Sequence, residues 1–354
     1  MSNFDDLSAM RICVIKPSAL GDVVQALPML TAVRRRFPQA HVAWVINANL
    51  ANLLEGHARI DQLIPFQRHG GVRDWWRLMN ALRHGRFDLT IDLQGLLRTG
   101  LMTAATGAKH RIGLMTAREG AEWFYTATLS DTDRDLPAWR RYWRVAEVID
   151  PTCPIGGADL PLAATDRRFA QQALHKGRQP WFAVCPGARW ETKRWPAEKF
   201  VAIAARAQRE LGASIVILGS PAERELCRDV ASLLEQRIPP SSVLNLGGDT
   251  SLRQLAAVLE ASQWAITNDS GPLHLADAVG TPTVGLFTCT SPIRSGPPPE
   301  RHELIATRLD CAAGYHKTCP LSGAEYHACH HELDVERVWA GLARLVEHSI
   351  RLAG

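Results

Sequence analysis

The sequence predicts an α/β protein made of two Rossmann-like, doubly wound domains. Short apolar runs rich in β-branched residues alternate with segments whose apolar residues recur at helical spacing. Strands alternating with helices imply a parallel sheet. The alternation pauses in a polar stretch around residues 164–179 and restarts at Trp181, so two sheets are expected. With 354 residues the chain is long enough for two cores.

In the first half, Arg11-Ile12-Cys13-Val14-Ile15 is a β-branched run bounded by Pro17. Val23, Leu27, Leu30 and Val33 then mark a helix over residues 22–36. Pro28 should either kink that helix or mark its true first turn. "HVAWVI" and "FDLTIDL" read as further strands with helical material between them. The second half opens with "PWFAVC", a glycine-containing loop, and a helix that should start at Pro196 and end at Gly212. "SIVILGS", "SVLNLG", "WAITNDS" and "PTVGLF" supply more strands, and "SLRQLAAVLEAS" a helix. The stretch with Arg167, Arg168 and Lys176 is the expected hinge. The expected domains are residues 1–165 on the acceptor side and 178–332 on the nucleotide-sugar side. A C-terminal helix over 333–354 would be free to pack back on the first domain.

The composition, 46% hydrophobic and 21% charged, is that of an ordinary globular protein. A formal charge of +4 is too slight to argue for nucleic acid. Arg34-Arg35-Arg36, and Arg140-Arg141 with Arg144, read as solvated helix faces. No apolar run approaches the ~20 residues of a membrane-spanning helix. Met1 to Met10, with Asp5 and Asp6, lacks a secretory pattern. Most of the eight cysteines stand singly in apolar runs, as Cys13 and Cys185 do, which suits reduced thiols and a cytoplasmic protein.

Three loops carry candidate chemistry. After the first strand, "KPSALGD" brings hydroxyl, glycine and carboxylate groups to a strand-to-helix turn, where Asp22 would repel a phosphate. In "GARWETKRWP", Thr192 and Lys193 lie just before a helix, a natural anion site. In "NDSGPLHLADAVGTPTVGLF", the amides of Ser270 and Gly271 can point at a diphosphate, Pro272 opens a helix, and His274 follows one turn on. His274 is either a core histidine or a ligand group. Glu223, past a further strand, either accepts from ribose hydroxyls or simply complements a helix start. No Walker lysine-serine pattern is present.

Five motifs in order, "KPSALGDVVQALPML", "IDLQGL", "RIGLMTARE", "TKRWP" and "NDSGPLHLADAVGTPTVGLF", resemble the ADP-heptose:lipopolysaccharide heptosyltransferases, glycosyltransferases of the GT-B fold. The resemblance implies two facing Rossmann-like domains with a cleft between them, and inverting, metal-independent transfer of heptose from ADP-L-glycero-D-manno-heptose to the lipopolysaccharide inner core. It makes Asp22 the catalytic base and Lys193 the phosphate contact. Asp269, Ser270, Gly271, Pro272 and His274 would wrap the donor, with Thr192 and Glu223. Ser18, Gly21 and Arg118 fall to the acceptor side. That also answers the repulsion at Asp22, because the donor belongs to the other domain. No cofactor beyond the ADP-heptose donor is required, no nucleic acid is expected, and peripheral contact with the inner membrane surface fits such an acceptor. Another nucleotide sugar, a protein hydroxyl acceptor, or a non-catalytic nucleotide-binding role are the alternatives. Cys311, Cys319 and Cys329 near His316, His327, His330 and His331 lack a paired motif, so free thiols are expected in place of a metal site.

Overall fold

β-branched and aromatic runs become the strands of two all-parallel six-stranded sheets in the computed structural model, which describes residues 8–175 and 177–353. Asp5, Asp6 and Lys176, used above, lie outside the described residues. Residues up to Pro161 form one unit and those from Leu162 a second.

The first unit runs β1 (Arg11–Ile15), α1 (Leu20–Ala26), α2 (Leu30–Arg36), β2 (His41–Asn47), α3 (Ala51–Leu54), β3 (Gln62–Phe66), α4 (Val72–His84), β4 (Leu89–Asp92), α5 (Leu97–Ala105), β5 (His110–Leu114), β6 (Ala127–Leu129) and α6 (Ala138–Ile149). Pro28 sits in a 3₁₀ turn, Leu27–Met29, between α1 and α2. Lacking an N–H, it interrupts the helical ladder, so the expected kink is a short break. The strand order is β3-β2-β1-β4-β5-β6. β1 is buried from Ile12 to Ile15, as a strand covered on both faces must be. Cys13, Ile15, Ala43, Val45, Leu82 and Met102 pack into one core cluster. Of the basic runs, Arg35 and Arg36 are exposed whereas Arg34, Arg140, Arg141 and Arg144 are half-buried: Arg34 reaches Asp61 at 2.6 Å, Arg35 reaches Asp150 at 3.2 Å, and Arg144 reaches Glu147 at 3.0 Å.

The second unit runs α7 (Ala164–Leu174), β7 (Trp181–Cys185), α8 (Ala197–Leu211), β8 (Ser214–Ile217), α9 (Arg224–Glu235), β9 (Val243–Asn245), α10 (Leu252–Glu260), β10 (Trp264–Asn268), α11 (Gly271–Val279), β11 (Thr283–Phe287), α12 (Pro292–Ser295), β12 (His302–Ala306), α13 (Ala328–Glu332) and α14 (Val335–Ala353). Its order is β12-β11-β10-β7-β8-β9. The stretch read as a hinge is largely the helix α7, packed on α10. Asp166, Ala170 and Leu174 repeat at helical spacing and are buried, while the polar residues between them face outward. Arg253 donates to Asp166 at 2.9 Å, and Arg167 grips Glu260 through two bonds of 2.7 and 2.9 Å. α14 packs on α8, β11 and β12 of its own unit. Trp195 anchors the core edge-on to Phe200, with its indole N–H donating to the Leu333 carbonyl at 2.7 Å.

Each sheet reverses its winding at one place: between β1 and β4 in the first unit, and between β7 and β10 in the second. At such switch points the loops leaving the strands diverge and leave a crevice at their carboxyl ends, where open α/β sheets bind ligands.

Candidate active-site loops

The turn after β1 and the loop after β4 both leave the first unit's switch point. Asp22 is in the first turn of α1 and caps it: its Oδ2 accepts from the Ala19 N–H at 3.2 Å. Capping occupies only part of the carboxylate. Tyr142, on α6, donates its hydroxyl to Oδ1 at 2.8 Å, and the Lys16 ammonium lies 3.8 Å from Oδ2. The Asp22 side chain remains 36% exposed, whereas Lys16 is 3% exposed. Ser18 and Gly21 line the same turn, half-buried, and Arg118 is exposed, its backbone N–H bonded to the Gly95 carbonyl at 2.9 Å.

Behind this turn stands a buried polar chain. Tyr125 donates to Asp92 Oδ2 at 2.8 Å, and the amides of Gln94 and Gly95 donate to Asp92 Oδ1 at 2.8 and 3.1 Å. The Gln94 side chain in turn accepts from Lys16 Nζ at 3.4 Å. Burial raises the Asp92 carboxyl above its usual range, against the lowering pull of those hydrogen bonds. Burial lowers the Lys16 ammonium, and the Asp22 and Asp92 carboxylates oppose that fall. Burial, then the charge on Asp22, raises the Tyr142 phenol, which therefore stays a donor.

In the second unit, the loops after β7 and β10 meet. Thr192 and Lys193 form a 3₁₀ turn, Glu191–Lys193, ahead of α8, which starts at Ala197 with Pro196 as its N-cap. Lys193 Nζ donates to Asp269 Oδ2 at 2.7 Å and to the Asp269 carbonyl at 3.2 Å. The same Oδ2 accepts from Thr290 at 2.6 Å. Asn268 holds the two loops together, accepting from the Trp195 N–H at 3.0 Å and donating to the Pro186 carbonyl at 2.8 Å. Ser270 is the N-cap of α11, and its side chain makes no capping bond to the helix. Pro272 occupies the first turn of that helix, and His274 is buried one turn in.

Glu223 is in a 3₁₀ turn after β8, its Oε2 accepting from the Ser220 N–H at 2.8 Å and the Ser220 hydroxyl at 2.7 Å. It presses on the loop after β7: a Cβ added to Gly187 would sit 2.1 Å from Glu223 Oε1. A side chain at position 187 would have to displace the end of the Glu223 side chain.

A profile of glycosyltransferase family 9 (heptosyltransferase) matches residues 75–325. The chain belongs to glycosyltransferase family 9. This family 9 enzyme is a heptosyltransferase by that membership, and its pair of parallel sheets is the GT-B fold. It is 30% identical to lipopolysaccharide heptosyltransferase 1 of Pseudomonas aeruginosa over 332 residues, 89% of each chain. It is 27% identical to the lipopolysaccharide core heptosyltransferase OpsX of Haemophilus influenzae over 292 residues, 81% of each chain. The solved structure of the Escherichia coli ADP-heptose lipopolysaccharide heptosyltransferase II superposes with a TM-score of 0.77 at 24% identity, covering 98% of this chain and 100% of that one.

In the family 9 enzyme's histidine-rich segment, Cys311, Cys319 and Cys329 are free thiols, and Cys329 is buried. Among the described residues no group of three or more His, Cys, Asp or Glu side chains could hold a metal ion. The segment braces the lysine loop. Thr192 donates to the His316 carbonyl at 2.7 Å, and Tyr315 N–H donates to the Cys289 carbonyl at 2.9 Å. Burial pushes the Cys329 thiol up to about 11. Among the described residues no helix is long and apolar enough to cross a membrane.

Sequence reasoning overlooked Lys16, Gln94, Tyr142 and Thr290 of the family 9 enzyme. Lys16 stood in the first motif and Gln94 in "IDLQGL". Tyr142 carried no local signal, because its partner Asp22 lies 120 residues away.

Proposed function

We propose that the chain transfers heptose from ADP-L-glycero-D-manno-heptose to the inner core of lipopolysaccharide, with inversion at the anomeric carbon and without a divalent metal. The observation that carries the reading is the chemistry at the two switch points. The first unit offers a partly exposed carboxylate, Asp22, and the second offers Lys193 beside the start of α11. The names of the relatives support the acceptor and that of the Escherichia coli structure the donor.

Asp22 is the base. It takes the proton of the acceptor hydroxyl as that oxygen bonds to the anomeric carbon, and the carbon–oxygen bond to the diphosphate breaks with its electron pair leaving on ADP. Lys193, with Thr192, Asp269, Ser270, Gly271, Pro272 and His274, holds the diphosphate and sugar. The lysine and the amides at the start of α11 stabilise the charge that grows on the leaving group. Glu223 receives the ribose, and Ser18, Gly21 and Arg118 the anionic acceptor. Peripheral contact with the cytoplasmic face of the inner membrane belongs to the same proposal. Supporting it, α4 exposes Val72 and Trp76 beside Arg73 and Arg77.

The test is a panel of nucleotide sugars against extracted core acceptors and protein acceptors. Transfer from ADP-heptose to core, lost by ~10²–10⁴ in Asp22→Ala while donor affinity stays within a few fold, is the expected outcome. Preference for another donor or for a protein hydroxyl would replace the substrate. Near-normal turnover in Asp22→Ala would remove the base.

A further inference from the structure

We propose that Lys16 and Tyr142 are positioning residues for the transfer reaction, fixing the orientation and ionisation of the Asp22 carboxylate. This inference rests on Asp22 being the base. Lys16 is the residue after β1, buried to 3% exposure, and its ammonium stands 3.8 Å from Asp22 Oδ2. Tyr142 comes from α6, which packs against α1, and donates to the other oxygen at 2.8 Å. The two also touch each other, with Lys16 Nζ 5.1 Å from the centroid of the Tyr142 ring.

A buried lysine is costly unless its charge is used. Asp92 cannot account for this one by direct contact, because the hydrogen-bond partner Lys16 finds on that side is the neutral amide oxygen of Gln94, at 3.4 Å. The carboxylate within ion-pair distance is Asp22. The turn itself needs no lysine for its cap, since the Ala19 N–H already supplies the helix-start bond. The charged and titratable groups near the carboxylate include Lys16 at the end of β1, Tyr142 and Arg141 on α6, and Asp92 at the end of β4.

Two donors, the Ala19 N–H and the Tyr142 hydroxyl, with the Lys16 ammonium at ion-pair distance, leave the carboxylate little rotational freedom. The nearby ammonium favours the anionic form that can accept a proton. Tyr142 stays protonated throughout the working range, so it contributes a constant hydrogen bond while Asp22 alone gains and loses the proton. A residue serving only to fill space would be indifferent to the charge on Asp22.

The test is the pH profile of kcat/KM for the full chain and for Tyr142→Phe, Lys16→Met, Lys16→Arg and Asp22→Ala, with donor KM measured alongside. The acid limb, below which the base is protonated, should move up by about 1–3 units in Lys16→Met. It should return toward its original place in Lys16→Arg, and move up by less in Tyr142→Phe. Donor KM should hold in all of them. Tyr142→Phe keeps the ring against Lys16 and removes one oxygen, so it tests the inference even if Lys16→Met does not fold. An inactive Asp22→Ala together with unmoved acid limbs in the other variants would overturn the positioning role alone. Near-normal turnover in Asp22→Ala would overturn the base and this inference together.

Discussion

Removing the Lys193 amine should reveal two separate losses, one of stability and one of affinity. Lys193 and Asp269 form an ion pair at 2.7 Å with side-chain exposures of 20% and 5%. Breaking a buried pair by deleting one partner typically costs ~3–5 kcal/mol. Here the lysine is partly hydrated, and Asp269 keeps its bond from Thr290 at 2.6 Å. A cost of about 2–3 kcal/mol is therefore expected for Lys193→Ala. For a unit of this size that lowers Tm by roughly 4–12 °C in calorimetry. Titration with ADP should show a weakening of about 10- to 150-fold, the worth of one charge-assisted contact. The double variant Lys193→Ala/Asp269→Asn separates the two effects. Neutralising the stranded carboxylate should restore most of the Tm and none of the ADP affinity. An unchanged Tm in Lys193→Ala would mean that the pair carries no weight. Recovered ADP affinity in the double variant would show that the bare Asp269 charge was repelling the nucleotide, and would place the phosphate contact elsewhere.

Two further outcomes are expected. His330 is held down at about 4, from an ordinary 6.5, by burial and by the neighbouring His327, Lys199 and His331. The folded state therefore binds fewer protons than the unfolded chain between those values, so this contribution to stability is present above pH ~6.5 and is lost as pH falls toward ~4. His330→Asn should flatten the wild-type fall in Tm across that window, and parallel curves would contradict the assignment. The purified protein should carry no stoichiometric metal, with chelator changing neither Tm nor transfer rate. About one zinc or iron per chain, lost in Cys319→Ser, would reverse that expectation.

Strands and helix ends were legible because local chemistry decides them. β1 spans the residues of its β-branched run, and α8 begins after Pro196 and ends at Gly212, which adopts φ 67°. The hinge was misread because Arg167 and Arg168 dominate the local composition, while the burial of Asp166, Ala170 and Leu174 depends on α10, some 80 residues further on. The candidate loops were legible for the same local reason: glycine, proline and a charged residue mark a strand-to-helix turn. What surrounds them was not. Tyr142 and Thr290 are ordinary residues in ordinary segments, and only the winding of the sheets brings them to Asp22 and Asp269.

The contact between Gly187 and Glu223 gives mutation an indirect route to the ribose contact proposed for Glu223. One methyl group at position 187 would collide with a carboxylate contributed by a different loop, and Glu223, which accepts from Ser220, would have to shift to escape it. A survey of donor preference that varied only side chains able to touch the nucleotide would pass over Gly187, which has none. Yet Gly187→Ala would edit the position of Glu223 while leaving its identity intact. In directed evolution, a change of preference traced to residue 187 should accordingly be credited to the displaced carboxylate, and second-site changes at Ser220 are where its compensation should surface.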